Sequence, residues 1–177
     1  LNYHLAAALA DMGEAEDALA AADEAIKQAN ANQRLSYRLN KLSVLEKLGR
    51  WNDAVAFAKP LLAEFTDTAE RNRVRYALAG AYWGAGKRAE AEAELRSLLD
   101  DDPDHASAAN DLGYHHADLG RDLAEAERLI RHAIDVDRRE RHRSGDPEPE
   151  NAAYLDSLGW VLFRRGKLDR NSTRLNS

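Results

Sequence analysis

Five glycines, Gly13, Gly49, Gly86, Gly120 and Gly166, each close an apolar-periodic stretch and open a polar turn, which restricts this chain to a series of near-equivalent units. They lie 36, 37, 34 and 46 residues apart (13 to 49, 49 to 86, 86 to 120 and 120 to 166). With the glycines superimposed, other positions fall into columns. Eight residues earlier stand Leu5, Lys41, Leu78, Leu112 and Leu158, followed by Ala6, Leu42, Ala79, Gly113 and Gly159. Four before the glycine come Leu9, Leu45, Tyr82, His116 and Leu162. Five after it are Ala18, Ala54 and Ala91, and the fourth repeat needs one extra residue to reach Ala126.

Each column has a mechanical reason. A glycine accepts the left-handed backbone conformation that closes a helix. The small residue seven before it lets a paired helix approach, and the alanine after the turn meets it from that helix. Leucines at helical spacing make the buried stripe. Alanine, leucine, glutamate and arginine dominate, all helix formers, and β-branched residues never alternate over a useful length, so no strand is expected. The pattern predicts helix pairs at 1–12 with 15–30, 33–48 with 51–65, 68–85 with 88–101, and 104–119 with 122–137, then a lone first helix at 150–165.

These residues resemble the tetratricopeptide repeat family in its bacterial form. The nearest matches are Leu78-Ala79 with Tyr82, Gly86, Ala91 and Asp102-Pro103, then Asn110 to Tyr114, then Tyr154 to Trp160. The resemblance implies an all-α, right-handed α-solenoid of antiparallel helix pairs over residues 1–170, with repeats at about 1–32, 33–67, 68–103, 104–137 and a partial one at 150–170.

The pattern breaks in three places. In repeat two, Lys41 takes a leucine column and Leu42 a small-residue column, while Pro60 falls inside the second helix and predicts a kink or break. Residues 138–150 form a charged, proline-containing insertion, basic at first and acidic at its end. Its basic part is read as extending a helix and complementing the helix C-terminus, in preference to a docking loop for an acidic partner. The tail 171–177 abandons the periodicity and reads as non-native sequence. The chain also opens at Leu1, already inside a helical pattern, so a fragment is expected, with Leu158, Val161 and Leu162 short of cover and copies able to self-associate through that end.

Little points to chemistry. With 31 acidic against 25 basic side chains, no basic face for nucleic acid is expected. No apolar run approaches the ~20 residues that span a bilayer. Cysteine is absent, which excludes thiolate metal sites and fits a reducing compartment such as the cytoplasm, although a removed leader peptide would fit too. His115 and His116 point about 100° apart on a helix and cannot easily share a metal; His132 lies on the next helix, and His116 occupies a packing column. Asp100 to Asp102 with Asp104 lack the glycine and glutamate of a calcium loop, and Asp104 is placed to cap the following helix. No catalytic group, metal ion or cofactor is expected.

In the family, the first helix of each pair lines the concave face. Ten, six and three residues before the glycines, that face would carry Tyr76, Gly80, Trp83, Asn110, Tyr114, Trp160 and Phe163, an aromatic trough through repeats three to five with Asn110 as a polar handle. It would hold a peptide or partner helix, the competing reading being that these side chains pack between repeats. The carboxylate clamp of chaperone-binding relatives is matched only at Asn40 and loosely at Arg73, with Tyr3, Ala7 and Ala77 at its other places. The expected function is therefore a protein-interaction scaffold. The alternative is the helical arm of a larger enzyme or regulator.

Overall fold

A computed structural model describes residues 2–145 and 151–166, with side-chain surroundings from His4 onward. The acidic end of the insertion and the tail lie outside these residues. All regular structure described is helical: α1 (Asn2–Asp11), α2 (Ala15–Gln28), a 3-10 turn (Ala31–Gln33), α3 (Arg34–Lys47), α4 (Trp51–Ala58), α5 (Leu61–Glu64), α6 (Thr68–Gly84), α7 (Arg88–Asp101), α8 (Ala106–Leu119), α9 (Leu123–Ser144) and α10 (Ala152–Arg164). Packing divides the chain into two compact units, Leu1–Glu94 and Leu95–Ser177.

The glycine turns share one construction. Gly13, Gly49, Gly86, Gly120 and Gly166 have φ of 81°, 69°, 75°, 68° and 65°. At the first four, the next N–H reaches back to the carbonyl of the four-before column: Glu14 to Leu9 at 2.9 Å, Arg50 to Leu45 at 2.8 Å, Lys87 to Tyr82 at 2.9 Å and Arg121 to His116 at 3.0 Å. This six-residue closure satisfies carbonyls that a helix end otherwise leaves bare. Gly145, φ 69°, is a further left-handed glycine that the five-glycine pattern did not include; it ends α9.

The extra residue of the fourth repeat also finds its place. In the first three turns the residue after glycine is where the second helix begins, so the N–H groups of Ala18, Ala54 and Ala91 bond to the carbonyls of Glu14, Arg50 and Lys87 at 2.9, 2.9 and 3.0 Å. In the fourth, Arg121 is interposed and Ala126 bonds to Asp122 at 2.9 Å. Asp122 is thereby forced to φ 46°, a left-handed conformation unusual for a residue with a side chain.

Within each unit the small columns set how closely the helices pack. Ala18, Ala54, Ala91 and Ala126 are all fully buried. A Cβ on Gly113 would stand 2.7 Å from Ile130 Cγ1 and 2.8 Å from the Ala126 carbonyl oxygen, so α8 and α9 meet at a distance only glycine allows. At Gly159 nothing among the described residues lies within 4 Å of such a Cβ. A second close approach was not legible in the columns: Trp51 lies flat on Gly84, where a Cβ would come 2.2 Å from the indole Cε3. Gly84→Ala should push the Trp51 ring into water, giving a red-shifted tryptophan emission that is missing when Trp51 is first replaced by Phe.

Several expectations are corrected. Leu5 is 46% exposed, so the leucine stripe does not hold in the first helix. Val161 is fully buried rather than short of cover, while Leu158 and Leu162 are half-buried as expected. Asp104 does not cap α8; His105 Nδ1 accepts from the Ala108 N–H at 3.2 Å instead. Asp104 turns to His132 (3.3 Å) and Arg139 (3.2 Å) on α9.

Other breaks behave as expected. α4 stops at Ala58 and α5 resumes at Leu61, with a Leu62-to-Lys59 bond of 3.3 Å replacing the four-residue ladder beside Pro60. The basic run extends α9 to Ser144 and sets Arg141, His142 and Arg143 in its last turn, at the negative end of the helix dipole. Lys41 keeps its stem inside and its ammonium 2.5 Å from Asp23, 4.8 Å from the centre of the Phe57 ring, which is how a cation survives in a leucine column.

Candidate partner-binding face

Tyr76, Gly80 and Trp83 lie on α6 in the first unit. Tyr76 and Trp83 are half-buried and Gly80 is exposed. Trp83 packs on the core of Leu35, Leu42, Leu78 and their neighbours, and the Arg88 guanidinium covers its ring at 3.7 Å from the centroid while donating to the Trp83 carbonyl. For Trp83, then, the packing role anticipated as the competing reading accounts for much of the side chain.

Beside Gly80 the first unit holds a carboxylate: Glu46 Oε1 comes 3.5 Å from where a Cβ on Gly80 would be. Burial pushes the Glu46 carboxyl above its ordinary 4.5. An acid whose folded pKa is raised binds more protons folded than unfolded, so stability falls as pH rises between the unfolded and folded values. Glu46→Gln should therefore stabilise the chain at neutral pH and have no stabilising effect below the ordinary carboxyl range, as read by denaturant midpoints across pH.

In the second unit, α8 and α10 run side by side and parallel. The Ser107 and Tyr154 hydroxyls are 3.0 Å apart at one end, and Arg164 Nη1 donates to the Asp118 carbonyl at 2.9 Å at the other. This register sets Tyr114 level with Trp160, and Asn110 one helical turn earlier, level with Asp156. Tyr114 is 39% and Phe163 58% exposed. Trp160 stacks on Phe163, ring centres 5.6 Å apart and 23° from parallel, and Arg164 sits 5.4 Å from the Trp160 centroid. Asn110 is not an open polar handle: it is buried, its Nδ2 donating to Asp111 Oδ1 at 3.2 Å.

Across all helix pairs the six-before column is the open one, with Ser43, Gly80 and Tyr114 exposed and Ala7 and Trp160 half-buried. The three-before column is mixed: Ala10 and Ala117 are buried, Phe163 exposed. The column reading missed Leu119 and Leu155, each 41% exposed in the second unit. Leu119 adjoins a turn glycine and Leu155 lies outside the three columns, so neither carried a signal.

His132 Nε2 bonds to the Pro103 carbonyl at 2.9 Å. His116, Asp122 and Glu125 do bring ligand atoms within 4.8 Å of one another, a grouping produced by the extra turn residue. Glu125, however, is held by Arg96 at 3.2 Å and lies 3.9 Å from Arg128, and the group sits at the N-terminus of α9, where the dipole repels cations. A cleft of 470 Å³ between α2, α3 and α4 is lined by Glu16, Asp23, Lys41, Arg50, Asp53 and Phe57, where Lys41 pairs with Asp23 and Arg50 with Asp53. No helix among the described residues is long and apolar enough to cross a membrane.

Residues 45–113 match the Tetratricopeptide repeat family. A stretch of 80 residues is 38% identical to the TPR repeat-containing protein PA4667 of Pseudomonas aeruginosa, covering 45% of this chain and 12% of that protein's length. The fold is similar to that of BtubC (BKLC) from P. vanneervenii, with TM-score 0.72 and 18% identity over 92% of this chain and 71% of the other. It is also similar to nearly identical TPR-like repeats from Podosopora anserina (TM-score 0.67, 16% identity, 94% and 86% covered). MamA from Desulfovibrio magneticus RS-1 is similar as well (TM-score 0.54, 21% identity, 82% and 76% covered). Such repeats generally mediate protein–protein interaction and are typically not enzymes. By its repeat columns, its glycine closures and the matched segment, the chain resembles the tetratricopeptide repeat family over residues 45–113, and its described residues form an all-α fold of antiparallel helix pairs like that of the solved TPR structures.

Proposed function

We propose that the chain is a scaffold that holds a peptide or partner helix against the first-helix faces of its repeats. In the first unit that face includes Tyr76, Gly80 and Trp83; in the second it includes Asn110, Tyr114, Trp160 and Phe163. Tyr114 and Phe163 supply the exposed anchors, Trp160 backs Phe163, and Asn110 braces Asp111 from within. The observation that carries the reading is the exposed aromatic surface on the α8–α10 seam, where rigid helices hold side chains of the kind that dominate binding energy. Capture of the physiological partner by the immobilised chain tests it. Undiminished capture by a Trp83→Ala/Tyr114→Ala variant of normal helicity would refute the groove.

A second reading is supported by the length of the similar protein, of which this chain spans 12%: the repeats would then be the helical arm of a larger enzyme or regulator. Activity measured on the complete reading frame, with and without residues 1–166, separates the two. An intrinsic activity that needs these residues favours the arm.

A further inference from the structure

We infer that the α8–α10 seam takes a cationic amphipathic segment of a protein partner, one whose lysines or arginines border its apolar stripe. This rests on the groove reading above and names the class of occupant.

The argument begins with the two helix faces. On α8, Asp111, Tyr114 and Asp118 follow one another at helical spacing; on α10, Asp156, Trp160 and Phe163 do the same. Because the two helices run parallel in the register fixed by Ser107–Tyr154 and Asp118–Arg164, the aromatics form a central apolar strip. Asp111 and Asp156 flank it on the N-terminal side of Tyr114 and Trp160, and Asp118 lies on the C-terminal side of Tyr114.

The charges nearby leave this strip negative. Asp118 and Asp156 are exposed, with no cation paired to either carboxylate among the described residues. Arg165 is paired with Glu127 and Arg141 with Asp137 at 2.8 Å, while Arg164, held on the Trp160 ring and the Asp118 carbonyl, is one positive charge set against the two carboxylates of Asp118 and Asp156. Tyr154, at the N-terminal end of the seam, feels the same field. Burial pushes its hydroxyl up first, Ser107 opposes this through its hydrogen bond, and Asp137, Asp111 and Glu140 push it further up. An acidic segment laid here would meet like charge, whereas a basic one is drawn in.

Two labelled synthetic helices test this with the intact chain. They share one Leu/Phe stripe, bordered by lysine in the first and glutamate in the second, and anisotropy reads their binding. The lysine helix should bind on the order of tenfold more tightly at low salt. The gap should close in an Asp118→Asn/Asp156→Asn variant, and also near 1 M salt, where the screening length falls to about 3 Å. Tyr114→Ala/Phe163→Ala should remove both helices. Equal affinities, a preference for the glutamate helix, or a lysine preference surviving the Asp→Asn changes would overturn the inference. In each of those cases, continued dependence on Tyr114 and Phe163 would leave the groove standing. Failure of both helices to bind, or binding indifferent to Tyr114 and Phe163, would remove groove and inference together.

Discussion

Replacing Tyr114 and Phe163 together by alanine should abolish partner binding while leaving the helical circular dichroism unchanged. Both rings are exposed, 39% and 58%, so their loss opens no cavity in the core. Hot-spot aromatics at a binding face contribute about 2 kcal/mol or more each, and two lost together weaken binding by roughly a thousandfold. The corresponding change on α6 would be harder to read, because Trp83 packs on the core and lies under Arg88. If the double variant bound within about threefold of the parent, a difference of only ~0.7 kcal/mol, the seam would not be the docking surface.

One substitution made at two places in the same column should give opposite signs. Gly113→Ala forces a methyl to within 2.7 Å of Ile130 Cγ1 and 2.8 Å of the Ala126 carbonyl, and a backbone oxygen cannot step aside cheaply. Overpacking of this kind costs about 1–3 kcal/mol, only partly offset by the ~1 kcal/mol that alanine gains over glycine in a helix. Among the described residues Gly159→Ala meets nothing within 4 Å, and it keeps that gain. Gly113→Ala should therefore lower the thermal midpoint by a few degrees, and Gly159→Ala should raise it by about 2–4 °C. Shrinking Ile130 to valine should leave most of the Gly113→Ala penalty in place, since the carbonyl contact remains. Equal shifts of one sign in both variants would show that the column does not set the spacing of α8 and α9.

The glycine columns gave away the fold because each encodes a backbone requirement. A left-handed turn and a close helix approach tolerate few residues, so they mark the sequence strongly. Pro60 was legible for the same reason. The misses have a common cause too: they depend on which side chain reaches a given partner. Asp104 and His105 stand side by side before α8 and both can cap it, and only the pull of His132 and Arg139 on Asp104 decides between them. Trp51 folding onto Gly84 involves residues of different repeats, and no column links them. Of the candidate site, Tyr114 and Phe163 could be read from helical phase, but not the burial of Asn110, which shares its column with the exposed Asp156.

The long α9 has a consequence for the outline of the second unit. It runs 22 residues against the 14 of its partner α8, a difference of about 12 Å of rod. The added length leaves the pitch between α8 and α10 untouched, because their parallel register is fixed by contacts at both ends of the seam. The overhang therefore works as a spacer: it limits how near a bulky body can come to that end of the unit.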